Sequence, residues 1–206
     1  MRNKSSNVQQ RNRLPGHVRR TEILDAALKV LASEGYPKFT LRNVASAAKI
    51  HFATLQYHFK SKNELLSALI RWKLQEDQRQ LQQTVEMADG SPKKKFCAGI
   101  KLIMEADRQP QVIGFFLQLW ALANHDPMAG KLTDEFYRAY RSWMVDLVAI
   151  ANPRLSRAEK EGRALPIMAM LEGILPTFTI SKKNRRARPE LDQDVAEIAW
   201  TIATRP

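Results

Sequence analysis

Apolar residues recur at three- and four-residue intervals along most of this chain, and that spacing constrains its fold more than any other feature of the sequence. It is the spacing of side chains on one face of an α-helix. In the segment 19–36 this face is formed by Ile23, Leu24, Ala27, Leu28, Val30 and Leu31. No segment alternates apolar and polar residues as a half-buried strand does. The sequence therefore predicts an all-α protein.

Residues that commonly begin or end helices divide the first 75 residues into four helices, of which the second and third are short. Gly35 ends the first helix, and Thr40 is placed to cap the second. Ser61 and Glu64 have the spacing of a capping box that begins a longer fourth helix. Two short helices joined by a brief turn predict a helix-turn-helix, although any small helical bundle can contain short helices.

The third predicted helix offers little apolar surface to a core. Leu55 and Phe59 face inward, and Phe52 is a further inward candidate. The other positions can face outward, and they are His51, Ala53, Thr54, Gln56, Tyr57 and His58. This sparse helix favours the helix-turn-helix over an ordinary bundle.

Five further helices are predicted in the rest of the chain. They span residues 93–107, 110–123, 127–151, 157–178 and 190–204. Proline lacks the amide hydrogen that a helix interior needs, so the fourth of these is expected to kink at Pro166 or Pro176. The apolar run 112–123 is too short to span a bilayer and predicts a buried core helix. The basic run 182–188 predicts a solvated, flexible linker.

The last predicted helix has apolar residues on two faces. One stripe is formed by Leu191, Val195, Ile198 and Ile202. Trp200 lies on the opposite side, since nine steps of about 100° separate it from Leu191. One face can pack on its own domain and the other on a second copy of the chain. A helix buried inside the monomer explains the pattern nearly as well.

Positive charge is concentrated near the N-terminus. The formal net charge is +12, and the isoelectric point is about 10.0. Residues 1–60 hold 11 Lys and Arg against 3 Asp and Glu, whereas residues 61–206 hold 22 against 18. Residues 1–16 are also too polar to bury a core. This asymmetry indicates a polyanionic partner such as nucleic acid, although a merely solvated basic surface explains the charge alone equally well.

The reactive residues do not form a site of known chemistry. Cys97 is the only cysteine, so neither an intramolecular disulfide nor a Cys-x-x-Cys metal site is possible within the chain. His17, His51, His58 and His125 lack metal-ligand spacing, and no Ser/His/Asp set is suggested. We therefore expect no metal and no cofactor. The N-terminus has no apolar signal region, so a cytoplasmic protein is expected.

The segment "FTLRNVASAAKIHFATLQYHFKSKNELLSALI", residues 39–70, resembles the DNA-binding region of TetR-family transcriptional regulators. The matching residues are Thr40, Val44, Ala45, Ala48, Ile50, Thr54, Leu55, His58, Phe59, Lys62 and Leu65. Less closely, "FFLQLWALANHDP" and "ALPIMAMLEGIL" resemble helices of the family's regulatory domain. The chain departs from the usual pattern in having Lys49 at the turn glycine, His51 at a serine, Phe52 at a polar position and Gln56 at a tyrosine.

The resemblance implies that the third helix lies in the major groove of DNA. Tyr57 and His58 can then donate hydrogen bonds to phosphates, and Thr40 and Lys62 can reach phosphates from the neighbouring helices. The candidates for contacts with base edges are Arg42, His51, Thr54 and Gln56, with Phe52 and Ala53 against thymine methyl groups. A basic tail, with Arg11, Arg13, Arg19 and Arg20, could enter the minor groove, but general attraction to DNA is the favoured interpretation.

The resemblance also implies a small-molecule effector bound in the C-terminal domain. Candidate lining residues are Met104, Phe115, Phe116, Trp120, Phe136, Tyr137, Trp143, Met144, Met168 and Leu171, most of which we expect to be simple core residues. Glu105 and Glu172 are candidates for acidic recognition of the effector.

The expected organisation is a disordered basic tail at 1–16, a helix-turn-helix DNA-binding domain at 17–62 and a helical-bundle regulatory domain at 63–206. The last two helices would form a homodimer. Such a dimer would bind a pseudo-palindromic operator and repress transcription until its ligand binds. The alternatives are a ligand-independent architectural DNA-binding protein and, less favoured, an α-helical enzyme.

Overall fold

The computed structural model describes residues 16–179 and 189–205, and within these ranges every regular element is a helix. The α-helices are α1 (Gly16–Glu34), α2 (Leu41–Ala47), α3 (Phe52–His58), α4 (Lys62–Met87), α5 (Pro92–Asp107), α6 (Pro110–Ala123), α7 (Pro127–Ala151), α8 (Arg157–Glu172), α9 (Ile174–Thr179) and α10 (Pro189–Thr204). A short 3₁₀ turn, Tyr36–Lys38, follows α1. The all-α prediction is confirmed. No helix of the described ranges combines the length and apolarity needed to cross a membrane.

The predicted helix 157–178, which we expected to kink at Pro166 or Pro176, is interrupted close to Pro176 and continues through Pro166. It is two helices that meet at Gly173, and Pro166 lies inside the first of them. An unbroken helix would need the amide of Pro176 to donate to the carbonyl of Glu172, and proline has no such hydrogen. Pro176 instead lies in the first turn of α9, where no donor is required. The predicted tail (residues 1–15 of it) and the basic run 182–188 lie outside the described residues.

The chain folds as two compact units, residues 1–69 and 70–206, and α4 contributes residues to both. In the first unit α2 packs against α1 and α3. The predicted cap of α2 is confirmed, because the Asn43 amide donates to Thr40 Oγ1 at 3.1 Å. At the start of α4 the Glu64 amide donates to Ser61 Oγ at 3.1 Å, while the Glu64 carboxylate accepts from the amide of Lys60 at 2.7 Å.

The turn between α2 and α3 places Lys49 in the left-handed region, with φ of 54°. The Ile50 amide donates to the Ala45 carbonyl at 3.0 Å, and the Lys49 amide donates to the Ser46 carbonyl at 3.0 Å. These two bonds form a Schellman motif, in which the left-handed position is usually glycine. The turn is therefore made by a side-chain-bearing residue at a conformational cost.

In the second unit α7 contacts α5, α6, α8 and α10. Polar contacts fasten α10 to this unit. Lys93 pairs with Glu197 at 2.6 Å, and the buried Arg163 guanidinium donates to the carbonyls of Ala203 and Arg205 at 3.0 and 2.6 Å. The last carbonyls of α10, which a helix cannot satisfy internally, are thus paired with a side chain of α8.

Replacing Lys49 with glycine is expected to raise the free energy of unfolding by about 0.5–1 kcal/mol, because glycine has no Cβ to strain at positive φ. Part of the gain is offset by the greater freedom of glycine in the unfolded chain. Urea unfolding at fixed protein concentration measures the change. The control is Lys49→Ala, which removes the charge but keeps the Cβ. An equal gain in both variants would show that charge repulsion, not backbone strain, is relieved.

Candidate nucleic-acid interface and ligand cavity

Helix α3 is anchored by few side chains and exposes the rest. Leu55 and Phe59 are fully buried, whereas 78% of Tyr57 is exposed. His51, Ala53 and Gln56 are exposed as well, and Phe52, Thr54 and His58 are partly so. The structure therefore presents the predicted DNA-reading residues of α3 on one continuous stretch of accessible helix.

Tyr57 and His58 form an edge-to-face pair with ring centroids 5.4 Å apart. No described residue forms a hydrogen bond with the Tyr57 hydroxyl, and Lys60 Nζ lies 5.8 Å from the centre of that ring. Burial, and then the positive charges of Arg20 and Arg19, lower the pKa of His58 below its ordinary value. At neutral pH the imidazole is therefore neutral, with one ring N–H available to donate.

Arg20 secures the end of α3. Its guanidinium lies 4.4 Å from the centre of the Phe59 ring and donates to the His58 carbonyl at 3.3 Å. Arg19 is buried and pairs with Glu22 at 2.9 Å. Both arginines belong to α1 and not to a tail. Arg11 and Arg13 lie outside the described residues.

Three predicted DNA contacts lie on the helices beside α3. The Thr40 oxygen accepts from the Asn43 amide, which leaves the Thr40 hydroxyl proton free to donate elsewhere. Arg42 lies 5.6 Å from the centre of the Phe52 ring. Lys62 Nζ donates to the Tyr36 carbonyl at 2.9 Å and lies 3.5 Å from that ring's centre, and burial lowers its pKa. A phosphate contact by Lys62 would have to replace this bond.

The second unit contains a cavity of about 560 Å³, part of which is open to solvent. Residues of α4, α5, α6, α7 and α8 line it, and they are Lys73, Asp77, Gln80, Leu81, Leu102, Ile103, Ala106, Asp107, Val112, Phe116, Phe136, Tyr140, Trp143 and Glu172.

Aromatic rings form one wall of the cavity. Phe116 meets Phe136 edge to face at 5.3 Å between centroids, and Trp143 lies 6.5 Å from Phe136 and 6.1 Å from Tyr140. Edge-to-face packing of this kind fixes ring orientation. The rings therefore give the cavity a preformed apolar lining.

Charged groups also line the cavity. Lys73, which is buried, forms an ion pair with Asp77 on the next turn of α4. Asp107 is only 8% exposed, and no described residue donates a hydrogen bond to it. Burial and the nearby Glu172 carboxylate raise its pKa to about 8. Burial also raises the pKa of Asp77 and of Glu172.

A chain of hydrogen bonds holds Glu172. Trp120 Nε1–H donates to the Tyr137 hydroxyl at 2.8 Å, and that hydroxyl donates to Glu172 Oε2 at 2.8 Å. Trp120 and Tyr137 therefore stand behind a lining residue instead of lining the cavity themselves. Burial and the Glu172 charge raise the pKa of the Tyr137 phenol, so it remains a donor at neutral pH.

Of the predicted pocket residues, Phe116, Phe136, Trp143 and Glu172 line the cavity. Glu105 is exposed and is not a lining residue. Met104, Phe115, Met144, Met168 and Leu171 are buried, and none of them is a lining residue.

Ten lining residues were missed, among them the charged Lys73, Asp77 and Asp107 and the aromatic Tyr140. The first two interrupt the apolar stripe of α4 between Ile70 and Leu81, which is a signal that the sequence did contain.

Comparison with known proteins covers both units. The model of bacterial regulatory proteins of the tetR family matches residues 23–69, and the C-terminal model of BetI-type transcriptional repressors matches residues 99–203. The chain is 28% identical over 162 residues to the HTH-type transcriptional regulator BetI of Rhizobium meliloti, covering 76% of each chain. It is also 28% identical over 158 residues to the HTH-type nicotine-responsive transcriptional repressor HdnoR of Paenarthrobacter nicotinovorans, covering 73% of this chain and 79% of that one.

Among solved structures, a transcriptional regulator from Pseudomonas aeruginosa has the same fold, with a TM-score of 0.75 at 19% identity. The likeness covers 92% of this chain and 91% of that one.

Replacing Asp107 with asparagine is expected to weaken the pH dependence of stability. The carboxyl has a pKa of about 8 when folded and about 4 when unfolded. Between these values the folded state holds a proton that the unfolded state lacks, so the free energy of unfolding falls as pH rises from about 4 to about 8. Glu172 and Asp77 favour the protonated form, and Lys73 and Arg108 oppose it.

Urea unfolding at pH 5 and pH 8, at one protein concentration, measures the effect. Asp107→Asn should lose less stability between these pH values than the unmodified protein. Asp134→Asn, which alters an exposed carboxylate of α7, is the matched control and should behave like the unmodified protein. Equal losses of stability between pH 5 and pH 8 in all three proteins would contradict the raised pKa assigned to Asp107.

Proposed function

Since this chain belongs to the TetR family of bacterial transcriptional regulators, we propose that it represses transcription as a homodimer bound to a pseudo-palindromic operator. A small molecule in the cavity would release it. The family consists of DNA-binding regulatory proteins and not of enzymes. The observation that carries the proposal is the surface of α3, where two buried anchors leave the remaining side chains accessible. The protein would act in the cytoplasm, because the operators of bacterial regulators lie there.

Contacts with the phosphate backbone are assigned to Tyr57, His58, Thr40 and Lys62. The first three have a hydroxyl or ring N–H free to donate, and hydrogen bonds to charged oxygens are stronger than those between neutral groups. Lys62 is assigned on charge and on its place at the N-terminus of α4. These contacts position the protein on DNA without reading its sequence.

Contacts with bases are assigned to the exposed residues of α3 and to one residue of α2. They are His51, Phe52, Ala53, Thr54, Gln56 and Arg42. Gln56 has the geometry for adenine and Arg42 for guanine. The Phe52 ring supports the Arg42 guanidinium, so the two side chains would act together.

The dimer is assigned to α8 and α10, which pack against each other. Each carries a large apolar side chain that its own chain leaves uncovered, because 55% of Leu165 and 50% of Ile198 are exposed. The opposite face of α10 is used within the chain, where Trp200 packs on Phe96 at 5.6 Å between centroids. Exposed apolar side chains of this size favour a partner surface.

DNA from upstream of the protein's own gene tests the function, with a scrambled duplex of equal length as control and two salt concentrations. Binding about 10³-fold or more tighter to the upstream DNA is expected of a specific regulator. Tyr57→Phe should weaken binding to both duplexes about tenfold, because it removes one bond to a charged oxygen. Gln56→Ala should weaken only specific binding, by about 1–3 kcal/mol.

Gln75→Ala, an exposed glutamine of α4 in the second unit, is the matched control and should bind as the unmodified protein does. Equal and strongly salt-dependent binding to both duplexes would support an architectural role instead. Absence of binding to either duplex at low salt would overturn the assignment of the α3 surface.

The variant with both Leu165→Glu and Ile198→Glu is expected to sediment as a monomer of 23.6 kDa, whereas the unmodified protein should sediment at twice that mass. Two buried charges on each side of an apolar interface cost more than such a contact supplies. Analytical ultracentrifugation measures the mass. Leu117→Glu, at a leucine of α6 that is 37% exposed, is the control and should remain dimeric. A dimeric double variant would place the interface elsewhere.

A further inference from the structure

Arg42 of α2 and Phe52 of α3 are in contact across the helix-turn-helix. The Arg42 guanidinium lies 5.6 Å from the centre of the Phe52 ring, which is within the distance at which a cation is attracted to the face of a ring. Arg42 belongs to the first turn of α2, and Phe52 is the first residue of α3. The contact therefore holds an arginine of one helix against the start of the other.

The Arg42 guanidinium has no acidic partner among the described residues, and none of them forms a hydrogen bond with it. Residues 35–63 include neither Asp nor Glu, and the carboxylate that precedes this range, Glu34, lies 3.9 Å from Lys38. Arg42 is also exposed. Its donors are therefore available to a partner outside the chain.

The position of Phe52 directs Arg42 to base edges instead of phosphates. In a helix-turn-helix, the N-terminal residues of the second helix contact base edges in the major groove. Phe52 is the first residue of that helix, so an arginine held against its ring would lie at a similar depth in the groove. A guanidinium at this depth can donate two hydrogen bonds to O6 and N7 of guanine, which is the commonest specific contact of arginine.

The Phe52 ring offers an apolar surface at a position that is usually polar in the family pattern, and the ring is partly exposed. The apolar group that a base pair presents in the major groove is the C5 methyl group of thymine. 5-Methylcytosine carries the same methyl group, whereas cytosine lacks it. Successive base pairs are about 3.4 Å apart. A ring 5.6 Å from the guanidinium can therefore contact the base pair next to the guanine.

We propose that Arg42 and Phe52 act together as the reader of a two-base-pair step. Arg42 binds guanine, and Phe52 packs on the 5-methyl group of the pyrimidine in the adjacent base pair. The affinity of the protein for DNA consequently depends on methylation, because 5-methylcytosine can replace thymine at this position and cytosine cannot. The inference rests on the proposed function, since it names two base pairs in each half-site of the operator.

The expected effect follows from the surface of one methyl group. Burial of a methyl group against the Phe52 ring should tighten binding about fourfold. A dimer contacts two half-sites, so methylation of both should tighten binding about fifteenfold.

The first experiment selects DNA with the full chain from duplexes that contain about 30 random base pairs, which is room for two half-sites. Each half-site of the selected duplexes should contain a guanine, with thymine in an adjacent base pair. Arg42→Lys keeps the charge but lacks the planar fork of donors. It should therefore reduce selection for that guanine tenfold or more. Unchanged selection for guanine would overturn the role of Arg42.

The second experiment measures the effect of the methyl group alone. Two versions of the selected duplex carry either cytosine or 5-methylcytosine in place of the thymine in both half-sites. The protein should bind the methylated version about fifteenfold more tightly. A duplex methylated only at a cytosine between the half-sites is the control and should bind as its unmethylated form does. Equal binding to cytosine and 5-methylcytosine in the half-sites would overturn the inference.

Variants assign the methyl effect to the ring. Phe52→Ser should abolish the difference between cytosine and 5-methylcytosine, whereas Phe52→Leu keeps an apolar side chain and should retain it. Gln75→Ala, an exposed residue of the second unit, is the matched control and should retain both the selection for guanine and the methyl effect. A methyl effect of unchanged size in Phe52→Ser would overturn the assignment.

The selection also distinguishes this inference from the proposed function. If a two-fold-symmetric site is enriched but its half-sites lack the guanine or the adjacent thymine, the inference is wrong and the function stands. If no sequence is enriched over the starting pool, the surface of α3 does not read DNA, and the proposed function is wrong together with the inference.

Discussion

Two fully buried side chains, Leu55 and Phe59, hold α3 in place, and the proposed DNA-binding surface depends on this anchoring. A seven-residue helix is not stable in water by itself, so α3 owes its conformation to packing. Arg20 adds to the anchor, since it covers the Phe59 ring and donates to the carbonyl of His58, the last residue of α3. Because so little of α3 is needed for the core, most of its side chains remain accessible for DNA.

The cavity arises from the opposite situation, in which polar residues interrupt an apolar stripe. On α4 the stripe of Leu65, Leu66, Leu69 and Ile70 is followed by Lys73 and Asp77 before it resumes at Leu81. The charged ends of Lys73 and Asp77 cannot pack tightly against the aromatic side chains of α6 and α7, so a space remains between the helices. Residues that contradict a local pattern at a cost in stability are often functional.

The C-terminal helix α10 is firmly anchored to its own unit and still leaves apolar surface exposed. Its small residues Ala196, Ala199 and Ala203 are fully buried and allow α10 to approach the rest of its unit closely. Ion pairs along one side and the Arg163 guanidinium at its end fix its position. Ile198 is left half exposed as a consequence, and this gives the proposed dimer surface a rigid support.

The sequence by itself determined the helices, most of their ends and the helix-turn-helix. The reason is that periodicity and caps act over three or four residues, as the Thr40 cap and the bounds of α6 and α7 illustrate. The sequence also carried the signal for the break at Gly173, in the missing donor of Pro176, but helical spacing alone did not locate it.

The tertiary structure decided which side chains share the cavity. Five helices line it, and the residues that meet there are up to 99 positions apart, from Lys73 to Glu172. Only packing could show that Asp107 faces this space without a donor, and that Trp120 and Tyr137 stand behind Glu172. Packing alone also shows that Lys62 Nζ donates to the Tyr36 carbonyl. Contacts between distant residues depend on how helices cross, and a helical repeat fixes the face of each helix but not its partner.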